Sequence, residues 1–271
     1  MVENIISKKE IIRIPLHIEG LDSQIEGGIP EGHVILVAGT SGSMKSSVVF
    51  NNLFHEAKKG KNSLFISLEQ SASSLMKHMI NLDFKLEDVN IEIVGSKVSE
   101  YKEIIKNTKN SKKGTIIISD LGALRKELKG TKIGEGGDWL TVVFNILKVA
   151  KKEINIDLFA LDSLNALYVL SNYTDSRSKL YHMFERLRDF EVTSYLVSEM
   201  PTTKTKFSEY GIEDYLSDGI IMLEMKEFER KVIRQIAVIK MRATLINTDI
   251  FSLVFENGKF KALYGGRNPL V

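Results

Sequence analysis

The sequence predicts an α/β protein with a mostly parallel central sheet flanked by helices, followed by antiparallel strands near its C-terminal end. Short apolar runs, such as Val34 to Ala38 and Ser63 to Leu68, alternate with segments of helical periodicity. Strands that are apolar along their whole length are typical of parallel sheets covered on both faces. After residue 218 the runs follow one another through short connections, and Asn257-Gly258 is a strong hairpin signal.

The elements are predicted in the following order. Parallel strands are predicted at 34–38, 63–68, 91–94, 115–119, 156–161 and 194–197, with helices at 45–59, 71–82, 101–109, 139–152 and 180–190. Antiparallel strands are predicted at 219–223, 232–241, 250–255 and 259–263. We expect a single domain over 1–271, in which 1–20 form an N-terminal extension and 219–271 carry the antiparallel strands.

Composition limits the classes of protein to which the chain can belong. Of 271 residues, 43% are hydrophobic and 27% are charged, which is ordinary for a soluble globular protein. The formal net charge of +2 neither requires nor excludes a nucleic-acid partner, and the lack of cysteine excludes thiolate metal sites. No apolar run approaches the ~20 residues that span a bilayer. We therefore expect a cytoplasmic protein without a membrane span.

The segment Gly39 to Ser46, with the letters GTSGSMKS, follows a predicted strand and opens a predicted helix. This layout is typical of a phosphate-binding loop, in which backbone N–H groups and a helix N-terminus face one anion. Lys45 is predicted to reach the β- and γ-phosphates of a nucleoside triphosphate, and Ser46 to ligate Mg²⁺. The alternative is a chance turn before a helix. The predicted nucleotide-binding residues are Gly39, Thr40, Ser41, Gly42, Ser43, Met44, Lys45, Ser46 and Ser47.

Met44 stands where the loop motif has its second glycine. Gly39 and Gly42 still provide two flexible points in the loop. We expect Met44 to take ordinary helical dihedral angles and to direct its side chain away from the phosphates. Nucleotide binding would then be retained, at some cost to affinity or rate.

Two carboxylates follow predicted strands. Asp162 ends the strand 156–161, where a carboxylate beside a phosphate loop holds Mg²⁺, usually through its water. Glu69 follows the strand 63–68, where it is predicted to polarise the water that attacks the γ-phosphate. The alternative for each carboxylate is to cap the helix that follows it.

Lys240 and Arg242 lie near the end of the predicted strand 232–241. One interpretation is a solvated strand end. The other is a pair of catalytic cations that reach the phosphates bound by a neighbouring subunit, as an arginine finger does. Sequence spacing does not distinguish these two interpretations.

Six motifs, in this order, resemble the KaiC-like branch of the RecA superfamily of ATPases over nearly the whole chain. They are Leu21-Asp22 with GGIPEG at 27–32, GTSGSMKS at 39–46, Glu69 before Gln70 where the family usually has two acids, LDS at 161–163 with NAL at 165–167, YLSDG at 215–219, and IKMR at 239–242 before Ala243, where glycine is usual. The resemblance implies a RecA-type fold that binds ATP or ADP with Mg²⁺. It also implies a homo-oligomer, with a hexameric ring as one form, in which Lys240 and Arg242 sense the adjacent subunit's nucleotide.

We therefore expect a Mg²⁺-dependent ATPase that acts as an oligomeric switch or motor subunit and has a regulatory protein partner. A second hypothesis is a recombinase-like protein that binds single-stranded DNA through residues 200–218. In that segment Lys204 and Lys206 are outnumbered by four acidic residues, which disfavours binding to phosphates. A third hypothesis is a non-catalytic nucleotide sensor, motivated by Met44 and Gln70. The segment 120–138 is unassigned.

Overall fold

A computed structural model describes residues 11–94, 98–111, 113–127, 138–171, 176–201 and 206–264. Three segments discussed above lie partly outside the described residues. They are the predicted N-terminal extension (its first half), the unassigned segment 120–138 (most of it) and the proposed DNA-binding segment (including Lys204).

The ten predicted strands occur in the predicted order, and three short strands that were not predicted precede them. They are β1 (Arg13–Ile14), β2 (Ile18–Glu19), β3 (Ile29–Pro30), β4 (Val34–Gly39), β5 (Ser63–Ser67), β6 (Asn90–Val94), β7 (Thr115–Asp120), β8 (Leu158–Asp162), β9 (Thr193–Glu199), β10 (Gly219–Phe228), β11 (Lys231–Met241), β12 (Phe251–Glu256) and β13 (Lys259–Tyr264). The helices are α1 (Lys45–Lys58), α2 (Ala72–Asn81), α3 (Val98–Asn110), α4 (Leu121–Glu127), α5 (Trp139–Ile154), α6 (Leu164–Leu170), α7 (Ser176–Asp189) and α8 (Glu213–Leu216), with short 3-10 helices at Asp22–Ile25 and Leu86–Asp88.

The central sheet has eleven strands in the described part of the chain, in the order β2-β13-β12-β11-β10-β4-β9-β8-β5-β7-β6. Six neighbouring strands of this sheet are parallel to one another, namely β4, β9, β8, β5, β7 and β6. The strand β10 pairs with β4 in parallel as well. From β10 to β13 the pairing is antiparallel. The predicted parallel sheet with antiparallel C-terminal strands is therefore confirmed.

Part of the segment predicted as an N-terminal extension contributes to this architecture. The strand β2 pairs in parallel with β13, and β1 pairs with β3 in a separate two-stranded sheet. The Asn51 and Asn52 side chains donate hydrogen bonds to the backbone carbonyls of residues 15–17. These buried amides fix the first described strands against α1.

Both faces of the sheet are covered, which explains why the parallel strands are apolar throughout. Successive side chains of a strand point to opposite faces. In β4, Ile35 and Val37 face a core that includes residues of α1 and α2. Val34 and Leu36 face a second core built with α5, α6 and α7. Each strand position therefore removes apolar surface from water, which is the main favourable contribution to folding.

Two hairpins form the C-terminal part of the sheet. Asn257 and Gly258 join β12 to β13, both with positive φ angles (51° and 72°), as a type I′ turn requires. The hairpin of β10 and β11 is longer than predicted, because β10 continues to Phe228 instead of ending at residue 223. The added residues of β10 are largely charged and remain paired with β11, and the last pair is Phe228 with Lys231.

Among the described helices, we find none with the length and apolar character needed to cross a membrane.

Candidate functional site

The carboxyl ends of the parallel strands meet at one edge of the sheet, which we call the carboxyl edge. The strands β4, β8 and β9 end there at Gly39, Asp162 and Glu199. A cavity of about 1390 Å³ opens at this edge. The predicted site residues that line it are Ser41, Gly42, Met44, Lys45, Ser46, Ser47, Glu69 and Asp162. Ligand sites of open α/β sheets lie at this edge, so the fold itself favours binding here.

The loop between β4 and α1 is held by its own backbone and by its neighbours. The Ser43 hydroxyl donates to the Thr40 carbonyl oxygen (2.7 Å), and the Thr40 N–H donates to the Leu223 carbonyl of β10 (3.3 Å). A Cβ on Gly39 would lie 2.2 Å from the Leu223 oxygen, so the loop must start with glycine. The loop leads directly into the N-terminus of α1, whose first N–H groups lack partners within the helix and favour an anion.

The expected helical conformation of Met44 is wrong. Met44 has φ 72° and ψ 27°, which is the left-handed region, and it precedes the first residue of α1. The glycine of the motif adopts such angles at no steric cost, whereas a residue with a Cβ adopts them at some cost. The Met44 side chain is partly buried and packs against the core on the α1 face of the sheet. Packing of the thioether therefore offsets part of the backbone cost.

Lys45 is buried, with 7% of its side chain exposed, and its ammonium group has three partners. It donates to the carbonyl oxygens of Gly39 and Thr40 (both 3.0 Å) and to Glu199 Oε1 (2.7 Å). The sequence analysis missed Glu199, although it ends an apolar strand just as Asp162 does. The ion pair holds Lys45 across the loop, at the place where phosphate oxygens would compete for the same ammonium group.

Asp162 is buried beside Ser46 and Lys45, with 2% of the residue exposed. Burial, helped by the nearby Glu69 and Glu199 carboxylates, raises the pKa of Asp162 to about 6, against a hydrogen bond from Ser46 and the charge of Lys45. A hydroxyl in contact with a carboxylate is a donor set that suits Mg²⁺. Within the described ranges, no three His, Cys, Asp or Glu side chains converge on a metal position. Such a site therefore suits an ion that is held jointly with phosphate.

The structure assigns helix capping to residues other than the two predicted carboxylates. Ser71 caps α2 by accepting from the Ser74 N–H (3.2 Å), and Ser163 caps α6 by accepting from the Ala166 N–H (3.3 Å). The Ser163 hydroxyl also donates to Glu69 Oε1. Glu69 is exposed at the cavity and Asp162 faces Ser46. Both carboxylates are thus available to a ligand.

The β10–β11 hairpin and α2 form the walls of the cavity. The strand β4 ends at Gly39, which pairs with Leu223 of β10. The strand β10 continues beyond this level to Phe228, so the hairpin projects past the loop. From β11 the Arg234 guanidinium donates to the Gly42 carbonyl (3.3 Å), and on the opposite wall His78 Nε2 lies 3.0 Å from Ser47 Oγ. The sequence analysis missed both residues, because only the folded hairpin and helix bring them to the loop.

Lys240 and Arg242 do not join this site. Lys240 pairs with Ile220 at the start of β10, a segment that lies beside the first residues of β4 at the opposite end, which we call the amino edge. The strand β4 separates the two edges by roughly 15–20 Å. Lys240 Nζ donates to the carbonyls of Asp214 (3.0 Å), Tyr215 (3.3 Å) and Ser217 (2.6 Å). Neither cation reaches the loop of its own chain.

Comparison with known proteins identifies the family of this chain. The family model described as "ATPase: KaiC" matches residues 14–259. A UPF0273 protein of Saccharolobus solfataricus is 27% identical over 236 residues, which cover 87% of this chain and 77% of that protein. The circadian clock protein KaiC3 of Synechocystis is 25% identical over 238 residues, or 86% of this chain. This chain spans about two fifths (42%) of the length of that clock protein.

A crystal structure of a KaiC-like protein from Pyrococcus horikoshii superimposes with a TM-score of 0.69 and 21% identity, covering 94% of this chain and all of that one. This similarity shows the fold, and the RecA-type fold predicted from the sequence is confirmed. The match of the family model extends from the first described strands to β13. The chain therefore belongs to the KaiC family of ATPases.

Proposed function

We propose that this nucleotide-binding ATPase hydrolyses ATP in a Mg²⁺-dependent manner and acts as a self-assembled switch or motor subunit. The observation that carries the proposal is the buried Asp162, which accepts a hydrogen bond from Ser46 beside Lys45 at the mouth of the loop. Around it, Glu69 and Glu199 add negative charge. A cation bound among these carboxylates would stabilise their charged forms.

The nucleotide would bind with its phosphates at the N-terminus of α1 and with Lys45 on the β- and γ-phosphates. Arg234 would face the phosphates from the hairpin, since its guanidinium already lies on the loop. Farther along the cavity the lining becomes apolar, with Leu82, Val232 and Phe255 between α2 and the two hairpins. An apolar wall of this kind suits a nucleobase.

Ser46 and Asp162 would hold Mg²⁺, which supplies charge neutralisation to the phosphates when bound. Glu69 would orient the attacking water and accept its proton, because the Ser163 hydroxyl fixes one of its carboxylate oxygens and leaves the other free to act. Lys45 and Arg234 would stabilise the charge that develops on the transferred phosphoryl group.

Lys240 and Arg242 would act on the nucleotide of a second copy. They lie at the amino edge, away from their own loop, and more than half of the Arg242 side chain (52%) is exposed. A homo-oligomer, such as a hexameric ring, would bring the amino edge of one copy to the carboxyl edge of the next.

A regulatory protein partner and a cytoplasmic location are also part of this proposal. The location is proposed because a chain without cysteine fits a reducing compartment.

The DNA-binding alternative gains no support from the described part of its segment. Lys206 Nζ donates to the Glu209 carbonyl, and the buried Glu213 binds Tyr168 (2.7 Å) and Ser208 (2.8 Å) through its carboxylate. These contacts fold the segment onto α6. A segment fixed in this way offers more acidic than basic groups to a phosphate backbone.

The decisive experiment compares Mg²⁺-dependent ATP turnover of the wild type and Glu69→Gln, with the molecular mass measured with and without nucleotide. Loss of the base is expected to lower turnover by roughly 10²–10⁴-fold while nucleotide binding is retained. Glu229→Gln, at the exposed hairpin turn of the same cavity, is the matched control and should leave turnover unchanged. Nucleotide binding without turnover in the wild type would instead establish the sensor hypothesis.

A further inference from the structure

Asp218 joins four elements at the amino edge of the sheet. It is buried, with 6% of the residue exposed, and its Oδ2 accepts from the Val34 N–H of β4 (3.0 Å). Its Oδ1 accepts from Arg188 Nη2 of α7 (3.1 Å) and from Arg242 Nη1 (2.6 Å). In addition, the Arg242 N–H donates to the Asp218 carbonyl (2.8 Å). Both the backbone and the side chain of Arg242 are therefore fixed by one residue.

The carboxylate remains ionised in this position. Burial acts to raise its pKa, but hydrogen bonds from Val34 and Arg188, together with the charge of Arg188, bring the pKa below its ordinary value. A charged acceptor makes a shorter and stronger hydrogen bond to a guanidinium than a neutral one does. The 2.6 Å contact to Arg242 is consistent with such a bond.

The Arg242 guanidinium makes one short and one long hydrogen bond. Its Nη1 donates to Asp218, and its Nη2 makes a longer contact of 3.4 Å with the Tyr215 carbonyl. Half of the side chain (52%) stays exposed, whereas Arg188, the other cation on the same carboxylate, is 35% exposed. Each Nη group carries a second N–H donor, and a guanidinium presents its donors in a planar fork that matches a phosphate.

We infer that Asp218 is a positioning residue for ATP hydrolysis in the adjacent copy, because it holds the Arg242 guanidinium ready for that copy's phosphates. This inference rests on the proposed action of Arg242 between subunits. An unrestrained arginine loses rotamer entropy when it engages a ligand, and preorganisation removes much of that loss. Lys240 is held by three backbone carbonyls at the end of α8 and not by the Asp218 carboxylate.

The test uses mixed oligomers. Subunits with Arg242→Ala keep an intact nucleotide site but lack the cation, and subunits with Lys45→Ala keep the cation but bind and hydrolyse nucleotide poorly. If Arg242 acts between subunits, mixing the two inactive proteins restores turnover at the sites of the first. Absence of any recovery would overturn the action between subunits, and the inference on Asp218 with it.

The second step adds Asp218→Asn to the Lys45→Ala subunits. We expect the recovered kcat to fall at least about tenfold, with the KM for ATP unchanged, because a misplaced catalytic group affects the transition state more than binding. The matched control adds Arg188→Gln instead, which removes the other cation from the same carboxylate and should leave the recovery intact. Equal recovery with Asp218→Asn, or equal loss with Arg188→Gln, would overturn the positioning role.

A double-mutant cycle gives an independent measurement in unmixed protein. If Asp218 acts through Arg242, Asp218→Asn should lower kcat in the wild type but produce no further loss in Arg242→Ala. Should Asp218→Asn fail to assemble, Asp218→Ser, which keeps an acceptor for the Val34 N–H, replaces it with the same expectation. Additive losses would show a structural contribution of Asp218 and contradict the inference.

Discussion

Asp162 and Asp218 are buried carboxylates at opposite edges of the same sheet, and their surroundings differ. At the carboxyl edge, burial raises the pKa of Asp162 to about 6, with the Glu69 carboxylate nearby. At the amino edge, Asp218 accepts from two arginines and its pKa is lowered. The two shifts are opposite because Asp218 accepts hydrogen bonds from two arginines, whereas the charge of Lys45 at Asp162 is opposed by stronger burial and by the Glu69 and Glu199 carboxylates.

The largest expected difference between the edges concerns nucleotide affinity. Lys45→Ala should weaken ATP binding by about 100-fold, because it removes charge-assisted hydrogen bonds to the phosphates. Arg242→Ala, at the amino edge, should leave affinity within twofold, since Arg242 does not reach the loop of its own chain. Titration of a fluorescent ATP analogue at low protein concentration measures both. Comparable losses in the two variants would contradict the separation of the edges.

The second difference is a pH dependence confined to the carboxyl edge. If Asp162 holds Mg²⁺, a proton competes with the metal for this carboxylate, so the apparent Mg²⁺ affinity should fall about tenfold per pH unit below pH 6 and level off above it. The Mg²⁺ concentration for half-maximal turnover, measured from pH 5 to pH 8, tests this expectation.

Asp162→Asn is the control for that titration, because this variant keeps the titration of the nucleotide's own phosphates but lacks the Asp162 carboxyl. Asp218 should contribute nothing in the same range, since its pKa lies below the ordinary value for aspartate. If the wild type and Asp162→Asn showed the same pH dependence, Asp162 would not be the group that exchanges a proton for the metal.

A third prediction concerns the left-handed backbone at Met44. Met44→Ala and Met44→Gly lose the same side-chain packing, but only alanine retains the steric cost of a positive φ. We expect the free energy of unfolding to be about 1 kcal/mol higher for the glycine variant than for the alanine variant. Denaturant unfolding without nucleotide measures this difference. An alanine variant as stable as the glycine variant would place Met44 outside the left-handed region.

The smallest expected effect concerns the ion pair between Lys45 and Glu199. Glu199→Gln should raise ATP affinity about threefold, because phosphate no longer competes with a carboxylate for Lys45. The gain is small because 38% of the Glu199 side chain is exposed and the pair is screened by solvent. Glu229→Gln, at the hairpin turn, serves as the control in the same binding assay. Reduced affinity would show that Glu199 holds Lys45 in the geometry that binds phosphate.

Local sequence was sufficient for the strand, loop and helix that hold the phosphate-binding segment. The apolar β4, the glycines of the loop and the periodic α1 each follow from side-chain pattern within a few residues. Asp162 and Glu69 were predictable for a similar reason, since each follows an apolar strand and parallel strands end at a common edge. The type I′ turn at Asn257-Gly258 also depends only on adjacent residues.

The tertiary structure alone decided how distant segments meet. Arg234 and His78 come to the loop from β11 and α2, so no spacing along the chain indicates them, whereas Glu199 ends an apolar strand as Asp162 does. It also decided that Lys240 and Arg242 lie across the sheet from their own loop, because register between β10, β11 and β4 determines which edge a residue occupies. Motifs and periodicity reflect the conformational preferences of residues that are adjacent in sequence. Strand register and packing depend on contacts between residues far apart in the chain.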